Sequence, residues 1–292
     1  MAPPRTTHYA LRTTHSLTAT LPPLPLDILT PLRQVPPVEP MSLLSTYLAF
    51  TAIIVARYFL VAGTAHWLLW KRSPKRARRL AKREPKPDTI RHEIGLSVLS
   101  AFIYAAPAAL VVELWEQGGT ALYSGPVTTL SDWAYIAVSA AIYLFAQDTW
   151  FYWTHRLFHH PRLFRWTHAG HHKSVQPTPW ASFSFDPVEA LSMAWLLPAM
   201  ALFIPLHVGV ALFLLLAMTV NAVLNHAGWE VFPDSWVRGR FGRAMITATH
   251  HNQHHTRFTG NYGLYFRFWD LLMGTDREQL DAAKARQFVP AE

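Results

Sequence analysis

The stretch "FYWTHRLFHHPRLFRWTHAGHHKS", Phe151 to Ser174, carries six histidines within eighteen residues, and "HHNQHH" repeats the concentration near the C-terminal end. His155 and His159 stand four apart. His168, His171 and His172 stand at i, i+3 and i+4, as do His251, His254 and His255. On an α-helix these spacings put side chains on one face, so each cluster presents two or three imidazoles to one point. The chain has no cysteine, which excludes thiolate metal sites, iron–sulfur clusters, disulfides and cysteine nucleophiles together. Any metal here is held by nitrogen and oxygen. Imidazole suits zinc, copper, iron and nickel, and a closed structural zinc site needs four ligands. Eight clustered histidines plus His226 make nine, more than one ion uses. Two metals sharing a cage fit that count better, with a redox-active di-iron site leading. The bland reading, a solvated histidine surface, suits one HxxxH but not three clusters containing two HxxHH repeats.

Asp148 lies seven residues before His155 on the same helical face, positioned to accept the second N–H of a ligating imidazole or to bind metal itself. His160 and His250 adjoin the clusters but point about 100° from their neighbours and stand aside. His8, His15, His66 and His92 have no cluster, and His207 belongs near the opposite membrane face.

The elements that must hold these clusters are apolar. The 292 residues are 51% hydrophobic and 15% charged, with 12 Trp and 17 Phe, poor in charge and rich in aromatics for a soluble chain. "LSTYLAFTAIIVARYFLVAGTAHWLLW", about Leu44 to Trp70, has the roughly 20-residue length that crosses a bilayer core. It contains one charge, Arg57, for which Glu113 is one counter-ion and snorkelling the alternative. The run "KRSPKRARRLAKREPKP" follows, and ten of the 26 Lys and Arg fall between Lys71 and Arg91. Flanked by two apolar spans, this run reads as a cytoplasmic juxtamembrane belt and not a nucleic-acid patch. A second span runs from about Ile94 to Trp115, the loop from Glu116 to Asp132 carries no Lys or Arg, and a third span runs from about Trp133 to Trp153. The last apolar stretch, Val188 to Leu224, would be about 55 Å long as one helix, against a hydrocarbon core of about 30 Å. Pro205 and Gly209 break it into two short passes or a hairpin. The expected fold is therefore an all-α, multi-pass transmembrane bundle of about four spans, or three plus a hairpin. All three histidine clusters fall on the cytoplasmic side, in a histidine-rich helical cap. Residues 1–40, rich in Pro and Thr, read as a disordered N-terminus, with Met41 an alternative start and a transit peptide a weaker reading. Residues 41–292 form the membrane domain, with the histidine motifs at 148–275.

"DTWFYWTHRLFHHPRLFRWTHAGHHKS", "NHAGWE" and "HNQHHTRFTGNYGLYFRFWDLLMGT" together resemble the fatty acid hydroxylase and sterol desaturase superfamily, whose pattern is HxxxH, HxxHH, a further histidine and HxxHH. The likeness covers about Leu44 to Thr275. It implies a non-haem di-iron centre whose ligands are His155, His159, His168, His171, His172, His226, His251, His254 and His255. "QPTPWASFSFDPVE" is similar to the sterol C-5 desaturase branch, but Asp186-Pro187 stands where relatives commonly carry His-Pro. Asp186 then serves as a polar supporting group, and Glu189, one turn on, as a candidate to hold a histidine. The resemblance implies an O2-dependent membrane oxidoreductase that hydroxylates or desaturates a sterol or fatty-acyl lipid. With no flavin, haem or iron–sulfur motif in the chain, electrons come from a small external carrier protein and its reductase. The expected location is a bacterial inner membrane or the endoplasmic reticulum. The rival is a non-redox membrane protein whose histidines bind zinc or copper for transport or structure. A transporter places its ligands at the bilayer midplane, whereas these motifs follow the span ends.

Overall fold

The computed structural model describes residues 42–281; the Pro/Thr-rich N-terminal segment lies outside them. Ser42 caps α1 (Leu43–His66) by accepting from the Ser45 amide, and one π-helical turn, Trp67–Lys71, extends it. Pro87 opens α2 (Pro87–Glu116) at the position where a missing N–H costs nothing. A Thr129/Asp132 capping box opens α3 (Leu130–Phe158). Short elements follow: α4 (Phe164–Thr167), α5 (Pro187–Ala194) and α6 (Leu196–Ala201). After a turn comes α7 (Val208–Asn225), then α8 (Asp234–Val237), α9 (Arg240–Ala244), α10 (Ala248–Arg257) and α11 (Phe268–Leu272). The fold is an all-α membrane bundle, its only sheets among the described residues being two pairs of two-residue strands.

Among the described residues three helices are long and apolar enough to cross a membrane: α1 with its π turn, α2 and α7. The helix α3 is 29 residues long but less apolar, because Asp132, Gln147 and Asp148 dilute it. The stretch 188–224 does break, as its length requires: α5 and α6 run out, the chain turns through Pro205, and α7 returns. Helices α1 and α2 meet through Ile54, Ala101 and Ala105, where small side chains let the backbones approach. Tyr58, Ala62 and Val223 join α1 to α7, and Tyr143 and Leu214 join α3 to α7. Arg57 is not paired with Glu113. Its Nε is buried without a partner, while Glu113 accepts from Gln117 one turn away at 2.8 Å.

Two small strand pairs fix the ends. Leu122–Tyr123 pairs in parallel with Leu206–His207, so the Lys/Arg-free loop and the hairpin turn share one end. Arg78–Arg79 pairs antiparallel with Trp229–Glu230, tying the basic run to the segment after His226. Trp70 Nε1 donates to the Ala227 carbonyl (2.9 Å), and the Leu80 and Ala81 amides donate to the Gly228 carbonyl. Gly228 has φ +71°, and a Cβ there would lie 2.8 Å from the Trp70 ring. The basic run, "NHAGWE" and the histidines therefore occupy the same end of the bundle.

Candidate metal centre

The three clusters reach the site from different backbones. His155 sits in the last turn of α3 and His159 is its C-cap residue. The HxxHH of α10 is helical as expected, with His251, His254 and His255 all buried. "HAGHH" is not α-helical. His168 caps the four-residue α4 and His171–Lys173 form a 3-10 turn. The Gly170 and His171 amides are drawn to Asp186 Oδ2 (2.7 and 3.2 Å) in place of helix carbonyls, which is why the turn departs from a regular helix. His226 is the C-cap residue of α7.

These segments bring nine imidazoles into two adjoining groups. One comprises His155, His159, His168, His172 and His254; the other comprises His171, His226, His251 and His255. Within each group the candidate ligand atoms lie within 4.8 Å of one another, the reach of one ion's ligand shell.

Hydrogen bonding fixes which ring nitrogens face inward. Nδ1 of His155 donates to the Tyr262 carbonyl (2.9 Å), His171 to Ser184 (2.9 Å), His226 to Ala222 (2.8 Å), His254 to Gly260 (2.8 Å) and His255 to Ser174 (3.0 Å). His168 Nδ1 meets Glu189 Oε2 at 2.6 Å. A carbonyl or carboxylate oxygen only accepts, so each of these Nδ1 atoms carries the ring proton and the opposite Nε2 presents a lone pair. Yet Nε2 of His155 and His168 stand 2.9 Å apart, and those of His226 and His171 3.3 Å. Two lone pairs at that distance repel and form no hydrogen bond. A cation between them resolves the conflict, so the donor set fits a pair of metal ions held by nitrogen.

Burial, reinforced in most of the rings by neighbouring imidazoles, disfavours the protonated form. His159 and His226 are pushed down to about 4 and His171 to about 3, and His251, His254 and His255 are lowered in the same direction. All are neutral near pH 7, the form that ligates metal. An unfolded histidine titrates near 6.5, so below that pH the unfolded chain binds more protons than the folded one. The stability these groups contribute is complete above about 6.5 and is lost as pH falls through about 4. The melting temperature of the purified protein in detergent, measured from pH 8 downward, is expected to fall across that window, with release of bound metal. A flat profile would contradict neutral, buried imidazoles.

The three carboxylates take different places. Glu189, buried in the first turn of α5, is the one that meets a clustered imidazole. Asp186 bonds backbone amides of the HxxHH turn. Asp148 receives no imidazole N–H: its Oδ1 accepts from the Leu264, Tyr265 and Phe266 amides (3.2, 2.7 and 3.1 Å) and so anchors the loop that supplies the Tyr262 carbonyl to His155. All three act on other groups and are positioning residues by contact. His160 is exposed, and His250 closes the N-terminal cap of α10 by accepting from the Thr247 amide at 3.1 Å. His207 lies at the far end, bonded to the Gly125 carbonyl.

Three supporting residues escape sequence reasoning. His92 Nε2 donates to the Gly170 carbonyl (2.8 Å). Glu93, fully buried, accepts from the Thr178 amide and hydroxyl, holding the loop whose ends at Ser174 and Ser184 receive His255 and His171. Asp270 accepts from the Tyr262 and Gly263 amides (2.9 and 2.8 Å). The available signal was a Glu at the mouth of an apolar span and an Asp inside the last motif.

A small apolar pocket opens beside both groups. Phe151, Phe185, Ala222 and Leu264 line it together with Asn225 and five of the histidines.

Fold and site together define an all-α membrane bundle capped by two adjoining histidine cages able to hold metal. Comparison with known proteins agrees. The family model described as fatty acid hydroxylase matches residues 140–275. A delta(7)-sterol 5(6)-desaturase of Gibberella zeae is 29% identical over 196 residues, 66% of this chain and 59% of its own length. A delta(7)-sterol 5(6)-desaturase of Aspergillus fumigatus is 31% identical over 211 residues, 65% and 64%. Lathosterol oxidase of Rattus norvegicus is 28% identical over 218 residues, 75% and 70%. No solved structure matches. Over residues 140–275 the chain is therefore similar to the fatty acid hydroxylase and sterol desaturase superfamily. It spans about three fifths of the length of the two fungal relatives.

Proposed function

We propose that this chain is an O2-dependent membrane lipid oxidoreductase that hydroxylates or desaturates an unactivated C–H position, with a sterol favoured over a fatty-acyl lipid by the names of its relatives. The observation that carries the reading is the meeting of Nε2 lone pairs inside two buried histidine groups beside an apolar pocket. The five-histidine and four-histidine groups would each hold one iron. Two irons so held would supply, with O2 and external electrons, the oxidising power to remove hydrogen from a lipid carbon that acid–base chemistry leaves untouched.

The protein's own contribution is position and dryness. Phe151, Phe185, Ala222 and Leu264 receive an apolar segment of substrate and exclude water from the histidine face. Backbone carbonyls and Glu189 hold the ring proton of six of the nine histidines on Nδ1, keeping their Nε2 atoms aimed inward. The choice between alcohol and alkene rests on where these side chains set the target carbon, by about an ångström. In this reading the histidine end faces the cytoplasm, as the basic run demands. A small acidic electron-carrier protein, served by its reductase, would approach the exposed cations of Lys71 to Lys86.

Lipid profiling by mass spectrometry after heterologous expression tests the activity. A product lacking two hydrogens indicates desaturation and one gaining an oxygen atom indicates hydroxylation. An unchanged sterol and acyl-lipid profile, with the protein correctly inserted and metal-loaded, would count against the proposal.

A further inference from the structure

The exposed apolar surface of α3 continues past the span and onto the cap. Trp133, Val138, Ile142, Phe145, Trp153 and Leu157 are all exposed, the last at 54%. From Trp133 to Leu157 the helix rises about 36 Å, more than the roughly 30 Å of a hydrocarbon core. The stripe therefore reaches beyond the core into the headgroup layer. Along the last turns of the stripe α11 is clipped lengthwise against α3. Trp269 Nε1 donates to Thr149 Oγ1 (3.0 Å) and its ring stacks on Tyr152, while Phe268 meets Phe145 edge-on at 5.9 Å. Asp270 turns inward to the loop that supports His155, whereas Leu271 and Leu272 face out, Leu272 62% exposed.

The same exterior extends sideways onto α5. Val188 and Leu191 are exposed there, and Trp150 Nε1 bonds the Ser192 carbonyl across the seam. Arginines stand against exposed indoles beside this face: Arg156 lies 6.0 Å from the Trp153 ring and Arg165 4.3 Å from that of Trp166. Tryptophan with a neighbouring Arg is the composition of a membrane–water interface, where the ring sits at headgroup depth and the cation reaches phosphate. The basic run on the same end of the bundle also sets Arg72 4.4 Å from the exposed Trp67 ring, but from Lys71 onward it presents charge and almost no exposed apolar side chain.

We propose that α11 and the last turns of α3 form a membrane-docking face that rests in the headgroup–acyl boundary. On this side the histidine groups lie at the bilayer surface and not above it. The occupant is lipid, because the face is continuous with the outward sides of α3 and α5 and is bordered by Trp and Arg. Docking also places bilayer one residue from Asp270, so lipid contact and the support of His155 share one short helix.

The absence of native cysteine makes the test direct. Leu272→Cys in the full chain carries a nitroxide label in nanodiscs of phosphatidylcholine and phosphatidylglycerol. Collision with O2, which concentrates in acyl chains, is compared with collision with a water-soluble nickel chelate. Leu60→Cys, at an exposed position on α1, serves as the lipid reference and Arg83→Cys as the water reference. The expected O2-to-nickel ratio at position 272 is severalfold above that at 83 and closer to that at 60. A ratio matching position 83 would overturn the proposal. Protection from both reagents, with or without spin–spin broadening, would place protein there instead and overturn it too. Leu271→Cys provides the same reading if the first variant fails to insert.

Discussion

His171→Ala is expected to lower bound metal from about two ions per chain to about one and to reduce lipid conversion to background. His171 belongs to the smaller group, where four imidazoles leave no spare ligand. Its ring also stacks against His168 of the larger group at 4.9 Å and lies 4.7 Å from His255, so it joins the two cages. Removing it leaves three histidines and an opening toward the apolar pocket that it lines. The measurement is metal per chain by elemental analysis beside turnover in the same sample. Unchanged metal content with full conversion would contradict the assignment of this ring.

The second large effect is expected at Glu189. Its Oε2 holds the His168 ring proton at 2.6 Å in a site sealed from water. Loss of such a partner typically costs about 10–100-fold in metal affinity or activity. Glu189→Ala leaves a buried N–H unpaired, a further penalty of about 1–3 kcal/mol, and frees the imidazole to rotate. Glu189→Gln keeps an acceptor oxygen and removes the charge, so it is expected to fall between wild type and alanine. Competition with a metal chelator reads the affinity directly. The order wild type, Gln, Ala is the predicted result; equal affinities in all three would show that His168 is oriented by something else.

The parts of this site legible in the sequence are those in which a side chain acts directly. The i, i+3, i+4 histidines of α10 declare themselves because a helix turns that spacing into one face. The break at Pro205 is legible because no single helix of that length fits a bilayer. What stays hidden is the shell that orients the imidazoles. Five of the nine rings are held by backbone carbonyls, those of Tyr262, Ser184, Ala222, Gly260 and Ser174. Every residue has a carbonyl, so the sequence carries no mark of this task. Asp148 and Asp186 were visible as candidates, but whether they take an imidazole or an amide depends on loops brought from 116 and 16 residues away. The same holds for Glu93, whose partner Thr178 is 85 positions distant. The 3-10 turn at His171 departs from the helix that the spacing predicts, because that spacing serves both geometries at this length and Asp186 decides between them.

The central claim, that nine histidines hold two irons for lipid oxidation, is tested most directly by metal analysis of the purified, membrane-extracted protein with O2 uptake followed in the same preparation. The account predicts two irons per chain, one for each histidine group, and O2 consumption that depends on added lipid and reductant. A single tightly held zinc, with no O2 consumption on addition of iron, lipid and reductant, would contradict it.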